Sequence, residues 1–389
     1  MSEAHIARRM ADIQPFHVMD LLARARALEA AGKDIVHMEI GEPDFITPQP
    51  IIAAGQRALA EGRTHYTPAC GLPELRAAIS DHYQREQGLS IAPERIVITP
   101  GASGALQLAL SVLIDPGDQV LMADPGYPCN RHFVRLVEGE AIGIPVTAAT
   151  DFQLTAEFVE RAWTARTVAV LLASPSNPTG TLISAEQLAA IHRVVQQRGG
   201  VLIVDEIYHG LVYGDKVSSA LHCGADIFVI NSFSKYYGMT GWRLGWLVAP
   251  EPYLRSIDKL AQNIFLAAST PAQYAALAAF EPKTLMILEQ RRAEFQARRD
   301  YLLPALCALG FIISGTPQGA FYLYADCSRF TDDSYRFVYD VLEHAGVAIT
   351  PGIDFGDNAP QQHVRFAYTT TMERLTEGVR RLAHYLNKA

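Results

Sequence analysis

Groups that can bind an anion, an aromatic ring or a carbonyl carbon follow the apolar runs between residues 95 and 250. They are Gly101, Ala102, Ser103, Tyr127, Asn177, Asp205, Tyr208, Ser232, Ser234, Lys235 and Arg243. Phe233, Tyr236 and Trp242 flank Lys235 in the sequence, which predicts that its amine is partly desolvated. Desolvation lowers the pKa of a lysine and makes the amine nucleophilic. We therefore predict that Lys235 attacks a carbonyl carbon.

The other groups suit a small aromatic phosphate. Small residues at 101–103 leave backbone N–H groups free at the start of a predicted helix, where a phosphate can bind. The Ser232 hydroxyl and the Arg243 guanidinium add further donors. Asp205 follows four apolar residues, and a buried carboxylate needs a partner, for which a protonated pyridine nitrogen is suited. Together with Lys235, these residues predict a site for pyridoxal 5′-phosphate.

Seven short apolar runs alternate with amphipathic stretches over this part of the chain. The runs are RIVIT, QVLMAD, AIGIPV, TVAVLLASP, GVLIVDE, DIFVINS and RLGWLVAP. Continuous apolar strands between helices are typical of a mostly parallel sheet that helices cover on both faces. The sequence thus predicts an α/β fold with a seven-stranded sheet. Ligands of such sheets bind outside the carboxyl ends of the strands.

Beyond Pro250 the pattern indicates a smaller α+β part. It predicts helices over 271–302, 333–345 and 372–386, two antiparallel strands in 311–326, and strands at 347–350 and 363–368. A helix at about 18–31 joins this part. We therefore predict a large domain of residues 48–285 and a small domain of residues 1–47 and 286–389.

Charge and cysteine content argue against several classes of protein. The chain has 389 residues and a net charge of −8, and its Lys and Arg residues are scattered, which argues against nucleic-acid binding. The apolar runs are far shorter than the ~20 residues of a membrane helix, and the N-terminal residues do not resemble a signal peptide. Five widely spaced cysteines without a CxxC pair are typical of reduced thiols. We expect a cytoplasmic protein without a metal site or a membrane partner.

Several motifs occur together and in a fixed order along nearly the whole chain. They are Tyr-Thr-Pro-Ala-Cys-Gly-Leu-Pro-Glu-Leu-Arg at 66–76, Ser-Asn-Pro-Thr-Gly at 176–180, Val-Asp-Glu-Ile-Tyr at 204–208, Ser-Phe-Ser-Lys at 232–235, Met-Thr-Gly-Trp-Arg-Leu-Gly at 239–245 and Val-Arg-Phe-Ala at 364–367. In these motifs the chain resembles the class I and II aminotransferases of fold type I, of the aspartate aminotransferase kind. The resemblance implies ping-pong transfer of an amino group from an L-amino acid to a 2-oxo acid, expected to be 2-oxoglutarate.

The resemblance also implies how the cofactor is bound. Lys235 forms a Schiff base with it and transfers the proton between Cα and C4′, while Asp205 pairs with the pyridine nitrogen. Asn177 and Tyr208 bond the ring O3′, and Tyr127 stacks on the ring. The phosphate is bound by small and polar residues, namely Gly101, Ala102, Ser103, Ser232, Ser234 and Arg243. Lys235, Asp205 and Tyr208 form the implied catalytic set.

Contacts with the substrate and with a partner subunit follow from the same resemblance. Arg365 binds the substrate α-carboxylate, with help from Asn177 and the backbone of Gly41. Tyr66 resembles a tyrosine that reaches the phosphate of the partner subunit, and Ser269 resembles another residue contributed across that interface. The resemblance therefore implies a homodimer with its sites at the interface.

The sequence leaves the substrate and the final outcome of the reaction open. Aspartate-specific relatives carry an arginine a few residues before the Ser-x-Pro at 269–271, whereas this chain has Phe265 there. The departure fits a preference for apolar and aromatic side chains, or a different residue that binds the distal carboxylate. A β-eliminating C–S lyase of the same fold is an alternative function, because it needs the same lysine, aspartate and arginine.

Overall fold

The arrangement of these segments is given by a computed structural model, which describes residues 4–315 and 317–388. Its α-helices are α1 (His17–Ala30), α2 (Gln49–Ala60), α3 (Pro73–Gln87), α4 (Gly101–Leu113), α5 (Pro128–Leu136), α6 (Ala156–Ala162), α7 (Ala185–Gln197), α8 (Leu254–Ile264), α9 (Thr270–Leu277), α10 (Pro282–Leu309), α11 (Ser334–Ala345) and α12 (Met372–Leu386). Its β-strands are β1 (Val36–His37), β2 (Ile96–Thr99), β3 (Gln119–Asp124), β4 (Glu140–Pro145), β5 (Thr167–Ala173), β6 (Val201–Asp205), β7 (Phe228–Ser232), β8 (Gly245–Val248), β9 (Tyr322–Asp326), β10 (Val347–Ala348), β11 (Thr350–Pro351) and β12 (His363–Ala367). Within the described residues, none of these helices is long and apolar enough to cross a membrane.

Seven strands form one sheet in the order β2-β8-β7-β6-β5-β3-β4. β8 runs antiparallel to β2 and β7, whereas the other neighbouring pairs are parallel. Each of the seven predicted apolar runs coincides with one of these strands to within two residues at either end, so the predicted α/β fold with a mostly parallel seven-stranded sheet is confirmed. The parallel order brings the carboxyl ends of β5, β6 and β7 to one edge.

Alternate residues of the strands pack into separate apolar clusters on the two faces of the sheet. On β6, Leu202 and Val204 pack with residues of α3 and α7. Ile203 between them packs with residues of α4 and α8. Because successive strand residues point to opposite faces, burial of both faces explains why these strands are apolar throughout.

A second group of elements surrounds a three-stranded antiparallel sheet, β11-β12-β9. Nearby, β1 pairs in parallel with β10. Helices α1, α10, α11 and α12 contribute to one apolar cluster here, which includes Leu21, Leu302, Val338 and Leu382. The domain division at 47/48 and 285/286 stays a prediction, and residues 1–3, 316 and 389 of its ranges lie outside the described residues.

The single helix predicted over 271–302 is wrong. Two helices occupy this region, because α9 ends at Leu277 and α10 begins at Pro282. Pro282 has no N–H to donate to a preceding turn, and a residue before proline avoids the helical backbone conformation. Glu281 is accordingly extended, with φ −69° and ψ 143°.

The two strands predicted in 311–326 are only partly present. The second is β9, whereas the first is reduced to a single bridge between Ile312 and Asp326. Gly315 adopts a left-handed conformation with φ 70°, which turns the chain out of an extended path.

Candidate active site

The carboxyl ends of β5, β6 and β7 and the first turn of α4 line a cavity of about 1060 Å³. We call this lining, from residues 102–106, 173–177, 205–208 and 232–243, the sheet wall. Tyr127 adds to the sheet wall. The rest of the lining, from residues 16–26 and 37–44 together with Tyr322, Arg365, Thr369 and Thr370, we call the helix wall. The cavity brings together most of the predicted site residues, namely Gly41, Ala102, Ser103, Tyr127, Asn177, Asp205, Tyr208, Ser232, Ser234, Lys235, Arg243 and Arg365.

Lys235 lies three residues after the end of β7 and donates from Nζ to the Gly41 carbonyl oxygen at 2.7 Å. Burial lowers the pKa of this amine to about 8, while the nearby Glu42 carboxylate partly opposes that shift. Gly41 is required at its position, because a Cβ there would overlap the hydroxyl of Tyr322. The desolvation predicted from the neighbours of Lys235 is therefore present, and the amine is available for nucleophilic attack near neutral pH.

Asp205 is the last residue of β6 and is buried. Its Oδ1 accepts a hydrogen bond from the Ile207 amide at 3.0 Å, which leaves Oδ2 for a donor in the cavity. Burial raises the pKa of Asp205 to about 7. A cationic N–H partner in the cavity would hold this carboxylate in its ionised form.

Backbone and side-chain donors converge at the first turn of α4. Gly101 has φ 69°, and a Cβ there would lie 2.8 Å from Nη2 of Arg243, so glycine allows this arginine to approach. Arg243 itself has φ 54°, an uncommon conformation for a residue other than glycine. The Ser232 hydroxyl donates to Oγ of Ser234 at 2.9 Å. These donors at a helix N-terminus suit a phosphate, although Gly101 itself does not line the cavity within the described residues.

The buried hydroxyl of Tyr208 lies 3.0 Å from that of Tyr322 on β9. Burial raises the pKa of Tyr208, so its hydroxyl remains protonated. Tyr322 also stacks on the Arg365 guanidinium, with 4.3 Å between the guanidinium carbon and the ring centroid. Sequence reasoning missed Tyr322, because its partners are 114 and 43 positions away along the chain and no motif marks it.

Arg365 lies on β12 with its side chain buried. Its Nη1 donates to Oδ1 of Asn177 at 3.0 Å, and its Nη2 donates to the Glu39 carbonyl oxygen at 2.5 Å and to Oγ1 of Thr350 at 3.1 Å. Within the described residues, its Nε is buried and has no hydrogen-bond partner. The guanidinium is thus held rigidly and retains an unused donor.

Of the remaining residues singled out in the sequence, only Tyr127 lines the cavity within the described residues. Tyr127 precedes α5, is half-buried and lines the cavity. Tyr66 and Ser269 do not line it within the described residues: Tyr66 is 82% exposed, and Ser269 lines a separate cavity of about 480 Å³. Phe265 follows α8 and packs against the apolar cluster beside α4. Phe265 does not line the cavity within the described residues.

A family model for class I and II aminotransferases matches residues 33–382. The chain belongs to this family. It is therefore an aminotransferase that depends on pyridoxal 5′-phosphate and acts on amino acids and oxo acids. The predicted family, enzyme class and cofactor are confirmed.

Similar proteins span nearly the whole length of this aminotransferase. A (5-formylfuran-3-yl)methyl phosphate transaminase from Methanocaldococcus jannaschii is 39% identical and covers 98% of the chain and 100% of its own length. A valine–pyruvate aminotransferase from Mycobacterium tuberculosis is 39% identical, with 97% of both chains covered. The solved structure of an aspartate aminotransferase from Thermus thermophilus with maleate has a TM-score of 0.93 and 34% identity. The match covers 98% of this chain and 100% of that chain. Three different substrates therefore appear among proteins of comparable similarity.

Proposed function

We propose that this aminotransferase moves the amino group of an L-amino acid to 2-oxoglutarate in two half-reactions that share one site. The supporting observation is a half-buried amine and a buried guanidinium on one cavity, those of Lys235 and Arg365. They donate to the carbonyls of Gly41 and Glu39, two residues apart. Because each residue spans at most about 3.6 Å, the backbone positions of these anchors lie within about 7 Å. An α-amino acid can therefore present its amine to one group and its carboxylate to the other.

Arg365 is suited to bind the α-carboxylate of both the donor and the acceptor. A guanidinium matches the two oxygens of a carboxylate, and its buried Nε has no partner within the described residues. A buried donor without a partner is costly, so binding of a carboxylate removes that cost. The contacts with Glu39, Asn177 and Thr350 orient the group in advance.

The sheet wall fits the cofactor. In our assignment Asp205 holds the ring nitrogen protonated, Tyr208 and Asn177 donate to O3′, and Tyr127 stacks on the ring. The phosphate is bound by the first turn of α4 and by nearby side chains, namely Gly101, Ala102, Ser103, Ser232, Ser234 and Arg243. When bound, pyridoxal 5′-phosphate supplies an electron sink for the negative charge that develops at the substrate Cα.

Lys235 has two tasks in this proposal. With the cofactor bound, its Nζ would hold the aldehyde carbon covalently, with loss of water, and would give up this carbon to the substrate amine. The freed Lys235 amine would then act as the base for the proton on the substrate Cα and as the acid that returns this proton at C4′. A pKa of about 8 suits both steps, because a useful fraction of the amine is neutral near pH 7. In the second half-reaction the same amine moves the proton in the opposite direction.

We also propose a homodimer in which Tyr66 and Ser269 complete the partner's site. An exposed tyrosine ring of this size is unfavourable in water and favours coverage by another surface. Ser269 lines a cavity with Gly238, Thr240 and Trp242, close in sequence to Lys235 and Arg243. Sedimentation of the purified enzyme tests the dimer. A cytoplasmic location stays a prediction.

The half-reaction with single amino acids tests the proposed activity. Purified enzyme with bound cofactor is mixed with each of the common L-amino acids, and the cofactor absorbance is followed. We expect conversion to the amine form with one oxo acid released per site, and recovery of the starting spectrum after addition of 2-oxoglutarate. Release of ammonia and pyruvate without an acceptor would indicate a β-eliminating lyase instead and would contradict the proposal.

A further inference from the structure

One face of α1 borders the cavity along most of its length. Val18, Leu22 and Arg26 are spaced by four residues and lie on one side of the helix, with Met19 beside them. The face is therefore apolar in its first two turns and cationic in the third. At 1.5 Å per residue, Arg26 lies about 12 Å along the helix axis from Val18.

The start of α1 is fixed by Asp354. Both oxygens of this buried carboxylate accept hydrogen bonds from the first amides of the helix, those of His17 and Val18, each at 2.9 Å. The neighbouring ring of Phe355 lies 4.9 Å from the guanidinium carbon of Arg365. The apolar face of α1 is thus held in a defined position relative to the proposed carboxylate-binding arginine.

Arg26 has no hydrogen bond or ion pair within the described residues. The acidic residue nearest to it along α1, Glu29, has another partner. Arg24 on another side of α1 pairs with Glu343, and Glu29 pairs with His37 at 3.2 Å. The second ring nitrogen of His37 binds Glu39 at 2.7 Å, so His37 has no donor left for a ligand. Arg26 is an exposed residue at the edge of the helix wall, and its guanidinium is free to bind an anion that enters the cavity.

The other cationic groups of the cavity have partners or tasks. Lys235 and Arg365 donate to the backbone of the segment 37–44, and Arg243 donates to the Thr240 carbonyl oxygen at 3.0 Å beside the phosphate cradle. Glu42 lies on the lining near Lys235, where it repels an anionic side chain. The charges therefore favour an anion near the third turn of α1.

We propose that Arg26 forms a subsite for the far end of the substrate, and that the enzyme accepts amino acids whose apolar or aromatic side chains end in a carboxylate or phosphate group. Residues such as Met19 and Leu22 contact the apolar stem, and the guanidinium binds the terminal oxygens. A cavity of about 1060 Å³ has room for such a substrate besides the cofactor. This assignment rests on the proposed aminotransferase reaction.

A matched pair of donors tests the subsite. The half-reaction kcat/KM is measured with L-phenylalanine and with 4-carboxy-L-phenylalanine, which differ only in the terminal carboxylate, and 4-(phosphonomethyl)-L-phenylalanine supplies the phosphate-like arm. We expect Arg26→Ala to lower kcat/KM for the two anionic donors by about 10-fold or more, as loss of a charged hydrogen bond does. L-phenylalanine should change less than about 2-fold.

Arg24→Ala is the matched control, because Arg24 lies on the same helix and pairs with Glu343 rather than lining the cavity. It should leave all three donors unaffected. Equal losses for L-phenylalanine and the anionic donors in Arg26→Ala, or no loss, would overturn the subsite. So would a wild-type enzyme that uses L-phenylalanine but neither anionic donor.

A binding measurement keeps the subsite testable without turnover. Calorimetry measures the affinities of the wild type and of Arg26→Ala for 3-phenylpropanoate and for 3-(4-carboxyphenyl)propanoate. Neither compound can be transaminated. The second carboxylate should strengthen binding about 10-fold in the wild type and not in the variant. If no amino acid is transaminated but this difference remains, the proposed function fails and the subsite stands. If the difference is absent, the subsite fails.

Discussion

The sheet wall and the helix wall of the cavity are built in different ways. Asp205 ends β6 and Lys235 follows β7 in one continuous segment, and short local motifs carry most of the groups assigned to the cofactor. The helix wall joins distant segments, as when Arg365 binds the Glu39 carbonyl oxygen across 326 positions of the chain. The cofactor chemistry is therefore encoded locally, whereas contacts with the substrate depend on how the two parts of the fold are joined.

Asp205→Asn should produce the largest loss on the sheet wall. The amide has nearly the same shape but cannot hold the ring nitrogen protonated, so the electron sink is weakened. We expect kcat to fall by a factor on the order of 10³ for every donor, with the cofactor still bound. Stopped-flow absorbance of the half-reaction measures this. A loss restricted to one donor would place Asp205 in substrate recognition instead.

Arg365→Lys should produce the largest loss on the helix wall. Lysine keeps the charge but loses the planar fork that matches a carboxylate, and it cannot reproduce the bonds to Asn177 and Thr350. We expect kcat/KM to fall by about 100-fold for all amino acids and all oxo acids, chiefly through KM. Steady-state kinetics with several donors measure this, and cofactor affinity serves as the control. An effect on one class of side chain alone would contradict the role.

Asp354→Asn should weaken the N-terminal cap of α1 and leave cofactor binding unchanged. The amide accepts from only one of the two helix amides and removes the negative charge from the helix N-terminus. We expect KM for apolar donors to rise by about 10-fold and the amides of α1 to exchange hydrogen about 10-fold faster. Asp215→Asn, an exposed change remote from α1, is the control. Unchanged exchange in α1 would show that the cap does not hold the helix.

The pH dependence of cofactor capture should report the environment of Lys235. Burial lowers the pKa of this amine to about 8, and only the neutral amine attacks the aldehyde. The rate of cofactor incorporation by cofactor-free enzyme should therefore rise with pH and level off above a midpoint near 8. Absorbance mixing experiments across pH 6–10 measure it. A midpoint close to 10, typical of an exposed lysine, would contradict burial of the free amine.

The difference between the sheet wall and the helix wall explains which parts of the fold and of the site could be predicted from the sequence alone. The seven strands follow from apolar runs that end in polar groups, so strand periodicity is sufficient to predict Asn177, Asp205 and Lys235 at one edge of the sheet. The break between α9 and α10 is indicated by Pro282, and helical periodicity alone does not predict this break.

On the helix wall, the family resemblance implied only Gly41 and Arg365, and the other contacts could not be predicted because they are formed only in the folded chain. Asp354 caps α1, which lies more than 300 positions away along the chain. The hydroxyl of Tyr322, on β9 of the three-stranded sheet, contacts the hydroxyl of Tyr208. Arg26 is an ordinary surface arginine in the sequence, and only the cavity distinguishes it from Arg24. Phe265 left open which residue binds a distal carboxylate, and Arg26 is the residue that we propose.

The most direct test of the account is the site of covalent cofactor attachment. The enzyme is reduced with borohydride in the presence of pyridoxal 5′-phosphate, digested, and the modified peptide is identified by mass spectrometry. We expect a modification on Lys235 in the wild type and in Lys259→Ala, an exposed control, and none at this position in Lys235→Ala. Stoichiometric modification of another lysine in the wild type would contradict the assignment on which both walls depend.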